Sequence, residues 1–321
     1  MKILVTGGAG FIGSNLVADL VGVGKIKGQK IEKIVVIDNL FLGRKEFIQP
    51  LINQGQVDFF EQDLLDQAAT LAVFKKCSFD LVFHLAANSD IAYGAKNTDW
   101  DLKQGTLVTF NVLAAMKDSG VKQIIFASTS AVYGEVPVRP ISEDYSPMLP
   151  ISFYGLSKLA AESLISAFCH NFGFQAWVYR FGNIVGFNGT HGVLVDFIKK
   201  LKADPKVLPV LGDGRQAKPY LYVADCVAGM IFGYQNSTEQ NNCYNLACEG
   251  STPVSEIAQM VIKALGLTEV NIQYAGGDRG WPGDVPQVRL DPAKLAQLGW
   301  QASLTSDQAV LKAIQDLIKQ I

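Results

Sequence analysis

The sequence predicts an α/β fold in which a doubly wound parallel sheet is followed by a smaller C-terminal domain. Short runs of β-branched residues alternate with helical patterns over the first 180 residues. The chain has 321 residues, of which 49% are hydrophobic, enough for a large core. A cluster of glycines follows the first strand directly, where a strand turns sharply into a helix.

The order of the elements follows from this alternation. Strands are predicted at residues 3–5, 34–37, 57–60, 81–83, 123–127 and 176–180. Helices are predicted between them at residues 12–23, 66–76, 100–119 and 154–171. After Arg180 the rhythm breaks, and glycine and proline become frequent. The expected division is residues 1–181 as the first domain, about 219–248 returning to it, and 182–218 with 249–321 as the second.

Composition excludes several classes of function. Lys plus Arg number 28 and Asp plus Glu 30, so no basic excess is available for nucleic acid. Five cysteines without a C-x-x-C pair predict free thiols in a reducing compartment, and the three histidines have no metal-ligand spacing. No signal peptide and no apolar run of membrane-spanning length is found. We therefore expect a cytoplasmic protein with no metal, no membrane partner and no nucleic-acid partner.

The glycine cluster has the spacing of a phosphate-binding loop. Gly7, Gly10 and Gly13 run from the end of the first strand into the first turn of the first helix, so the backbone can approach a pyrophosphate at a helix N-terminus. The second strand ends at Asp38, whose carboxylate would accept the ribose hydroxyls of NAD and repel a 2′-phosphate. The alternative is a glycine-rich turn followed by a helix-capping aspartate. The combination favours NAD as the cofactor.

Hydroxyl groups follow the fifth strand, and a tyrosine–lysine pair opens the next helix. Ser128, Thr129 and Ser130 stand at the carboxyl end of that strand, where ligands bind in such sheets. Tyr154 and Lys158 are four apart and so share one helix face. An ammonium beside the phenol is expected to lower the tyrosine pKa and make it a general base. His84, at the end of the fourth strand, is expected to be structural.

These motifs together resemble one family. Residues 6–13, 63–64, 84–87, 128–134 and 154–158 are similar to the extended short-chain dehydrogenase/reductases, which have a Rossmann-like fold. More closely, the chain resembles the NAD-dependent nucleotide-sugar epimerases and dehydratases, and UDP-glucose (UDP-galactose) 4-epimerases in particular. The resemblance extends to residues 180–186, 212–216, 222–225, 244–246 and 279–286. It implies that the C-terminal domain binds the nucleotide-sugar.

The resemblance also implies roles for individual residues. The catalytic group would be Thr129, Tyr154 and Lys158. Besides Tyr154 and Lys158, NAD would be held by Gly7, Gly10, Phe11, Ile12, Gly13, Asp38, Asn39, Asp63, Leu64, Leu85, Ala86, Ala87 and Ser89. The substrate would contact Ser128, Thr129, Asn183, Val193, Gln216, Lys218 and Arg279. Arginine suits the last position because its guanidinium binds phosphate oxygens in pairs.

Departures from the family pattern narrow the expected reaction. Related 4,6-dehydratases carry Asp-Glu after the catalytic threonine, and this chain has Ser130 and Ala131 there. The lack of further acids and bases favours 4-epimerisation of UDP-glucose and UDP-galactose, or their N-acetyl forms, through a 4-keto intermediate. The alternatives are a 4-keto reductase or synthase, a 2-epimerase, and a non-catalytic NAD-sensing relative. Lys218 replaces an arginine that relatives often have. The resemblance also implies a homodimer formed through helices 100–119 and 154–171, which carry the apolar residues Phe110, Leu113, Met116, Leu164, Ile165 and Phe168.

Overall fold

The computed structural model describes residues 1–136, 140–280, 283, 285 and 287–321. Its strands are β1 (Lys2–Thr6), β2 (Lys25–Ile26), β3 (Gln29–Lys30), β4 (Lys33–Asp38), β5 (Val57–Glu61), β6 (Leu81–His84), β7 (Gln123–Thr129), β8 (Gln175–Phe181), β9 (Asn183–Val185), β10 (Val207–Val210), β11 (Ala217–Lys218), β12 (Tyr220–Tyr222), β13 (Asn241–Leu246), β14 (Thr252–Pro253) and β15 (Asn271–Tyr274).

The helices are distributed along the whole chain. They are α1 (Phe11–Val23), α2 (Gln49–Asn53), α3 (Gln67–Cys77), α4 (Ile91–Lys96), α5 (Val108–Asp118), α6 (Phe153–Phe172), α7 (Val193–Ala203), α8 (Val223–Asn236), α9 (Val254–Ala264), α10 (Ala293–Gln297) and α11 (Ser306–Gln320). A π-helical segment, Leu102–Leu107, leads into α5, and short 3₁₀ turns occupy Lys45–Phe47 and Ser130–Tyr133.

Seven parallel strands form the central sheet, in the order β13-β8-β7-β6-β1-β4-β5. The register places Thr6 of β1 beside Ile37 of β4 on one side and His84 of β6 on the other. The strand order changes direction at β1, so a crevice opens beyond the carboxyl ends of β1, β4 and β6. The predicted doubly wound parallel sheet is confirmed.

Both faces of the sheet are buried, which explains the continuous apolar strands. One face of β1 and β4, with Ile3, Val5 and Val36, packs in a core that includes residues of α1 and α8. The opposite face, with Leu4 and Val35, packs in a second core that includes residues of α3, α5 and α6. The helices on both faces hold the strand ends at fixed positions around the crevice.

A third hydrophobic core belongs to the C-terminal part of the chain. Residues of α7, α9 and α11 pack there with β10 and with Tyr220 of β12. β10 pairs with β15, and β12 pairs with β9, away from the central sheet. The chain passes back to the central sheet at β13, which pairs along its whole length with β8. Val195 and Tyr220 of this third core line one cleft together with Thr129 at the carboxyl end of β7.

The described residues offer neither a membrane-spanning helix nor a group of side chains that could hold a metal ion. Within the ranges given above, no helix is long and apolar enough to cross a membrane. Over the same part of the chain, no group of three or more His, Cys, Asp or Glu side chains could hold a metal ion. Trp281, Pro282, Asp284 and Pro286, from the last family-like motif, lie outside the described residues.

Candidate active site

A cleft of about 780 Å³ runs along the carboxyl edge of the sheet, between the sheet and the C-terminal core. Its lining includes residues from the loop after β1, the ends of β4, β6 and β7, and the start of α6. β9 and the N-terminus of α7 contribute the opposite wall. The volume suits a dinucleotide together with a sugar nucleotide's reactive end.

The glycine loop forms a tight cradle at one end of this cleft. Gly7 has φ +70°, and a Cβ built on it would lie 2.7 Å from the Ala86 backbone nitrogen. A Cβ on Gly13 would collide with the Gly7 carbonyl oxygen. α1 begins at Phe11, directly after Gly10, which provides no side-chain cap for the first N–H groups of the helix. The uncapped helix end and close-packed backbone fit the pyrophosphate of NAD.

Asp38 closes the ribose end of the cradle. Its carboxylate lines the cleft and accepts hydrogen bonds from the backbone N–H groups of Ala9 at 3.0 Å and Leu40 at 2.9 Å. Burial raises the pKa of Asp38, while these two hydrogen bonds lower it. Each carboxylate oxygen keeps a lone pair for a ribose hydroxyl. The site therefore fits NAD and opposes a 2′-phosphate through charge repulsion.

Replacing Asp38 with asparagine is expected to weaken NAD binding about tenfold, because one charge-assisted hydrogen bond is lost. The same change should narrow the preference for NAD over NADP, since the carboxylate no longer repels the phosphate. Fluorescence titration with NADH and NADPH measures both affinities on wild type and D38N. An unchanged ratio of the two affinities would show that Asp38 does not select the cofactor.

Asn39 and Asp63 form a small polar cluster beside Asp38. The Asn39 amide donates to Asp63 Oδ2 at 3.4 Å, and Gln104 Nε2 donates to the same oxygen at 3.3 Å. Asn39 and Gln104 line the cleft, whereas Asp63 is not among the lining residues. The predicted cofactor contact of Asp63 is thus indirect here, because the carboxylate orients two amides that face the cleft.

The remaining predicted NAD residues line the cleft in two groups. Phe11 and Ile12 stand at the start of α1, and Leu64 follows β5. Leu85, Ala86, Ala87 and Ser89 form the wall that follows β6. The small side chains of this second group leave the backbone close to the cleft.

Tyr154, Lys158 and Thr129 meet where β7 ends and α6 begins. All three line the cleft, and the Thr129 hydroxyl is hydrogen-bonded to the Tyr154 phenol. Ser152 caps α6 by accepting from the Gly155 N–H at 3.0 Å, which fixes the first turn that carries Tyr154. Lys158 is fully buried and donates to the Ala127 carbonyl oxygen at 2.6 Å. The arrangement brings a proton-transferring phenol, a hydroxyl and an ammonium to one wall.

The expected lowering of the tyrosine pKa is wrong for this structure. Burial raises the pKa of Tyr154 to about 12, the Thr129 hydrogen bond lowers it, and the charge of Asp101 raises it. Burial also lowers the pKa of Lys158 to about 7, against the carboxylates of Glu162 and Asp101, which raise it. A buried lysine with this pKa is only partly charged near neutrality, so its support for a phenolate is reduced.

His84 is structural, as the sequence predicted. The ring is fully buried, 2.7 Å from Thr6 Oγ1 through Nδ1 and 3.0 Å from Thr109 Oγ1 through Nε2. It stacks on Phe126. Burial, with a smaller effect from the Lys158 charge, lowers the pKa of His84 to about 3. The imidazole is therefore neutral and joins β1, β6 and α5 through hydroxyl contacts.

Ser128 lines the cleft, but its hydroxyl is bonded inside the protein, so its contact with the substrate stays a prediction. Ser128 is 1% exposed, and its hydroxyl donates to Glu162 Oε1 inside the protein. Glu162 also pairs with Arg180 at 2.7 Å, and Arg180 donates to the Tyr133 hydroxyl at 3.0 Å. A buried carboxylate attracts the nearest donors, so the serine belongs to this ion-pair network.

Most predicted substrate residues line the wall contributed by the C-terminal part. Asn183, Val193, Gln216 and Lys218 are among them. Arg279 is not, although its neighbour Gly280 is. Its guanidinium pairs with the Glu135 carboxylate at 2.6 Å. The diphosphate contact of Arg279 stays a prediction, and in this structure the Glu135 carboxylate holds the guanidinium.

Several residues that line the cleft or support it were not predicted from the sequence. Phe41, Tyr93 and Trp100 form an aromatic cluster with ring centroids 4.9–5.6 Å apart, and Phe41 and Trp100 line the cleft. His191 also lines it, and the contact with the Ser89 backbone joins the two walls. Phe41 stands three residues after Asp38, so its closeness to the predicted ribose-binding residue could have indicated a position in the cleft. Apart from the rarity of histidine in this chain, nothing in the sequence indicated that His191 lies in the cleft.

Comparison with known proteins gives the family. The model of the NAD dependent epimerase/dehydratase family matches residues 3–247. The chain belongs to this family. It is 29% identical to the UDP-glucose 4-epimerase of Bos taurus over 337 residues, which cover 96% of this chain and 93% of the relative. The family membership makes NAD its cofactor, in agreement with the cradle and with Asp38.

Solved structures agree with this assignment. The crystal structure of a UDP-galactose 4-epimerase superposes with a TM-score of 0.88 at 36% identity, covering 100% of both chains. The Thermus thermophilus UDP-glucose 4-epimerase in complex with NAD superposes with a TM-score of 0.87 at 30% identity, again over 100% of both chains. The chain is thus an NAD-dependent enzyme of the nucleotide-sugar epimerase type, as the sequence predicted.

Proposed function

We propose that the protein is a UDP-hexose 4-epimerase that interconverts UDP-glucose and UDP-galactose. The observation that carries the proposal is the meeting of Tyr154, Thr129 and Lys158 on one wall of a cleft whose far end fits NAD. When bound, NAD supplies the acceptor, and later the donor, of the hydride at C4 of the sugar. No other redox partner is needed, because the sugar ends at its starting oxidation level.

The side chains of the cleft perform the proton transfer. The Tyr154 side chain, ionised to the phenolate, takes the proton of the C4 hydroxyl as a ketone forms there, becomes a neutral phenol, and returns the proton when the alcohol re-forms. Thr129 donates a hydrogen bond to the sugar oxygen or to the phenol, and so aligns the two. Lys158 stabilises the negative charge on the phenol oxygen when its ammonium is protonated. The 780 Å³ cleft leaves room for the keto sugar to present either face.

Ser130 and Ala131 support 4-epimerisation over dehydration. Both line the cleft directly after Thr129, in the 3₁₀ turn Ser130–Tyr133. Neither side chain is an acid or a base near neutral pH, so no proton can be moved at C5 or C6 from these positions. A simple inversion at C4 needs only the tyrosine. Residues 1–181 with 219–248 would hold NAD, and residues 182–218 with 249–321 would hold the nucleotide-sugar.

The proposal is tested by proton NMR of UDP-glucose with the purified enzyme and catalytic NAD. The anomeric signals of glucose and galactose are expected to reach one constant ratio from either side. UDP-N-acetylglucosamine, UDP-xylose and the corresponding dTDP, CDP and GDP sugars form the comparison panel. If another sugar nucleotide is turned over and UDP-glucose is not, that sugar nucleotide replaces UDP-glucose as the substrate in this proposal. If none of them is turned over, the proposal is refuted.

Replacing Thr129 with valine is expected to lower kcat about 10- to 100-fold with little change in NAD affinity. Valine keeps the shape and removes one hydrogen bond, whose loss to a charged or developing-charge partner costs about 1.5–3 kcal/mol. Initial rates on the best substrate measure the loss, with Ser130→Ala as the neighbouring control. Full activity in T129V together with a loss in S130A would move the role to Ser130.

We propose that the protein forms a homodimer through the exposed faces of the π-helical segment and α6. The exposed large hydrophobic side chains are Leu102 and Leu107 on the π-helical segment, Phe110 on the adjoining α5, and Phe153 and Leu156 on α6. α5 and the π-helical segment pack against α6, so these side chains lie on adjoining helices. An identical face on a second copy would cover them by two-fold symmetry.

The interface predicted from the sequence included further apolar side chains of the same two helical regions. Leu113, Met116, Ile165 and Phe168 were expected to help form it, but all four are buried against the chain's own sheet. Leu156→Asp is expected to give a particle of 34.8 kDa where wild type gives twice that mass. Light scattering after size exclusion measures both, with Leu311→Asp, on the exposed side of α11, as control. A dimeric L156D or a monomeric wild type would contradict this interface.

A further inference from the structure

Asp101 is a buried carboxylate close to the catalytic pair, and the proposed mechanism gives it no role. It is 1% exposed and stands immediately before the π-helical segment. Asn88 Nδ2, from the cleft wall, donates to its Oδ1 at 2.9 Å. Its Oδ2 has no hydrogen-bond partner among the described residues. A carboxylate buried in this way needs a compensating charge close by.

The backbone around Asp101 holds this carboxylate in place. A Cβ built on Gly94 of α4 would collide with Asp101 Oδ2, so glycine is needed at that position. A Cβ built on Gly105 would collide with the Ser157 hydroxyl, and Thr106 Oγ1 donates to the Ser157 carbonyl oxygen at 3.3 Å. These contacts press the π-helical segment against α6 one residue before Lys158. Irregular helical turns of this kind often occur at functional sites.

The charged groups around Asp101 come from three elements. Lys158 and Tyr154 face it from α6, and Asp90 faces it from the start of α4. Glu162 raises the pKa of Lys158 more than Asp101 does, but the Glu162 carboxylate is also paired with the buried Arg180 guanidinium. His84, near Lys158, is neutral. Of the two carboxylates that act on Lys158, Asp101 is therefore the one without an arginine partner among the described residues.

We infer that Asp101 is a positioning residue for the proposed reaction, its buried carboxylate serving as the counter-charge that keeps Lys158 protonated beside Tyr154. This inference rests on the proposed function. The pKa shifts have the matching signs: the Asp101 charge raises the pKa of Lys158, and the Lys158 charge lowers the pKa of Asp101 against the larger effect of burial. The same carboxylate raises the pKa of Tyr154 and so delays its ionisation.

Asp101→Asn should move the whole pH profile of kcat to lower pH. Without the negative charge the pKa of Lys158 falls, so the alkaline limb moves to lower pH. The pKa of Tyr154 also falls, so the acid limb moves in the same direction. Removal of one charge close to a buried titratable group shifts the pKa of that group by about one unit. The shift of both limbs is the expected result, because at a fixed pH the lost lysine charge and the easier ionisation of Tyr154 change kcat in opposite directions.

The control variants separate this effect from simple damage to the fold. Asp99→Asn removes the same charge two residues away, at the surface, and is expected to leave the profile in place. Asp101→Glu keeps the charge, so both limbs of its pH profile should lie where those of wild type lie, even if kcat is lower at every pH. A profile that only drops in height in D101N, with both limbs unmoved, would assign Asp101 a structural role and overturn the inference.

A second readout does not depend on the identity of the sugar. The phenolate absorbance of the NAD-bound enzyme is titrated in wild type and D101N, and the titration of the matching Y154F background is subtracted from each. The Tyr154 transition is expected about one pH unit lower in D101N. This shift without epimerase activity would contradict the proposed function alone, while an unshifted transition in an active enzyme would contradict the role of Asp101. Asp101→Ser removes the same charge if D101N does not fold.

Discussion

Replacing Tyr154 with phenylalanine is expected to abolish nearly all turnover while NAD remains bound. The phenol oxygen is the group that exchanges the proton of the C4 hydroxyl, and general acid–base catalysis contributes about 10²–10⁴-fold. The ring itself is retained, so the packing at the start of α6 should not change. kcat in Y154F is therefore expected to fall at least about a thousandfold, and NADH fluorescence titration should give an affinity close to that of wild type.

A matched tyrosine separates this effect from a general loss of hydroxyl groups. Tyr93 contacts Phe41 and Trp100 through its ring and is not among the residues that line the cleft. Tyr93→Phe keeps those ring contacts and is expected to retain nearly full activity. Near-normal activity in Y154F would remove the tyrosine from the mechanism, and an equal loss in both variants would point to a change in cleft packing.

The second large effect is expected from breaking the buried Glu162–Arg180 pair. Glu162 Oε2 lies 2.7 Å from the guanidinium, and the two side chains are 10% and 6% exposed. Arg180 also donates to the Tyr133 hydroxyl and to the Glu143 carbonyl oxygen, so it cannot turn to solvent. Glu162→Gln leaves this cation buried without its counter-charge. The free energy of unfolding should fall by about 3–5 kcal/mol.

Urea unfolding of wild type and E162Q at one NAD concentration measures this loss. Asp99→Asn breaks the exposed pair with Lys103 and should cost no more than about 1 kcal/mol. The double variant E162M/R180M removes both charges together and is expected to recover much of the stability. A loss below about 1 kcal/mol in E162Q would show that the pair is far more hydrated than its burial indicates.

The sequence predicted the sheet and the cofactor end of the site well, because both depend on local patterns. The glycine loop needs backbone positions that only glycine provides, as Gly7 shows by its approach to Ala86. Asp38 is the last residue of β4, so the pattern of the strand locates it. Tyr154 and Lys158 share a face because one helix carries both.

Long-range contacts could not be predicted in the same way. The Ser128 hydroxyl turns to Glu162, 34 residues later, and nothing near Ser128 in the sequence indicates a buried acid. Arg279 pairs with Glu135, 144 residues away. Asp101 sits in a helical pattern whose π-helical geometry is invisible to apolar periodicity. Each of these residues depends on charges brought together only by the fold.

The most direct test of the account follows one hydrogen atom of the sugar. UDP-glucose carrying deuterium at C4 is incubated with the enzyme and a catalytic amount of unlabelled NAD, and the product is examined by proton NMR and mass spectrometry. If Tyr154 moves only the hydroxyl proton and the hydride returns to the same sugar, UDP-galactose forms with deuterium retained at C4. UDP-galactose that has lost the label to solvent would contradict oxidation and reduction at C4.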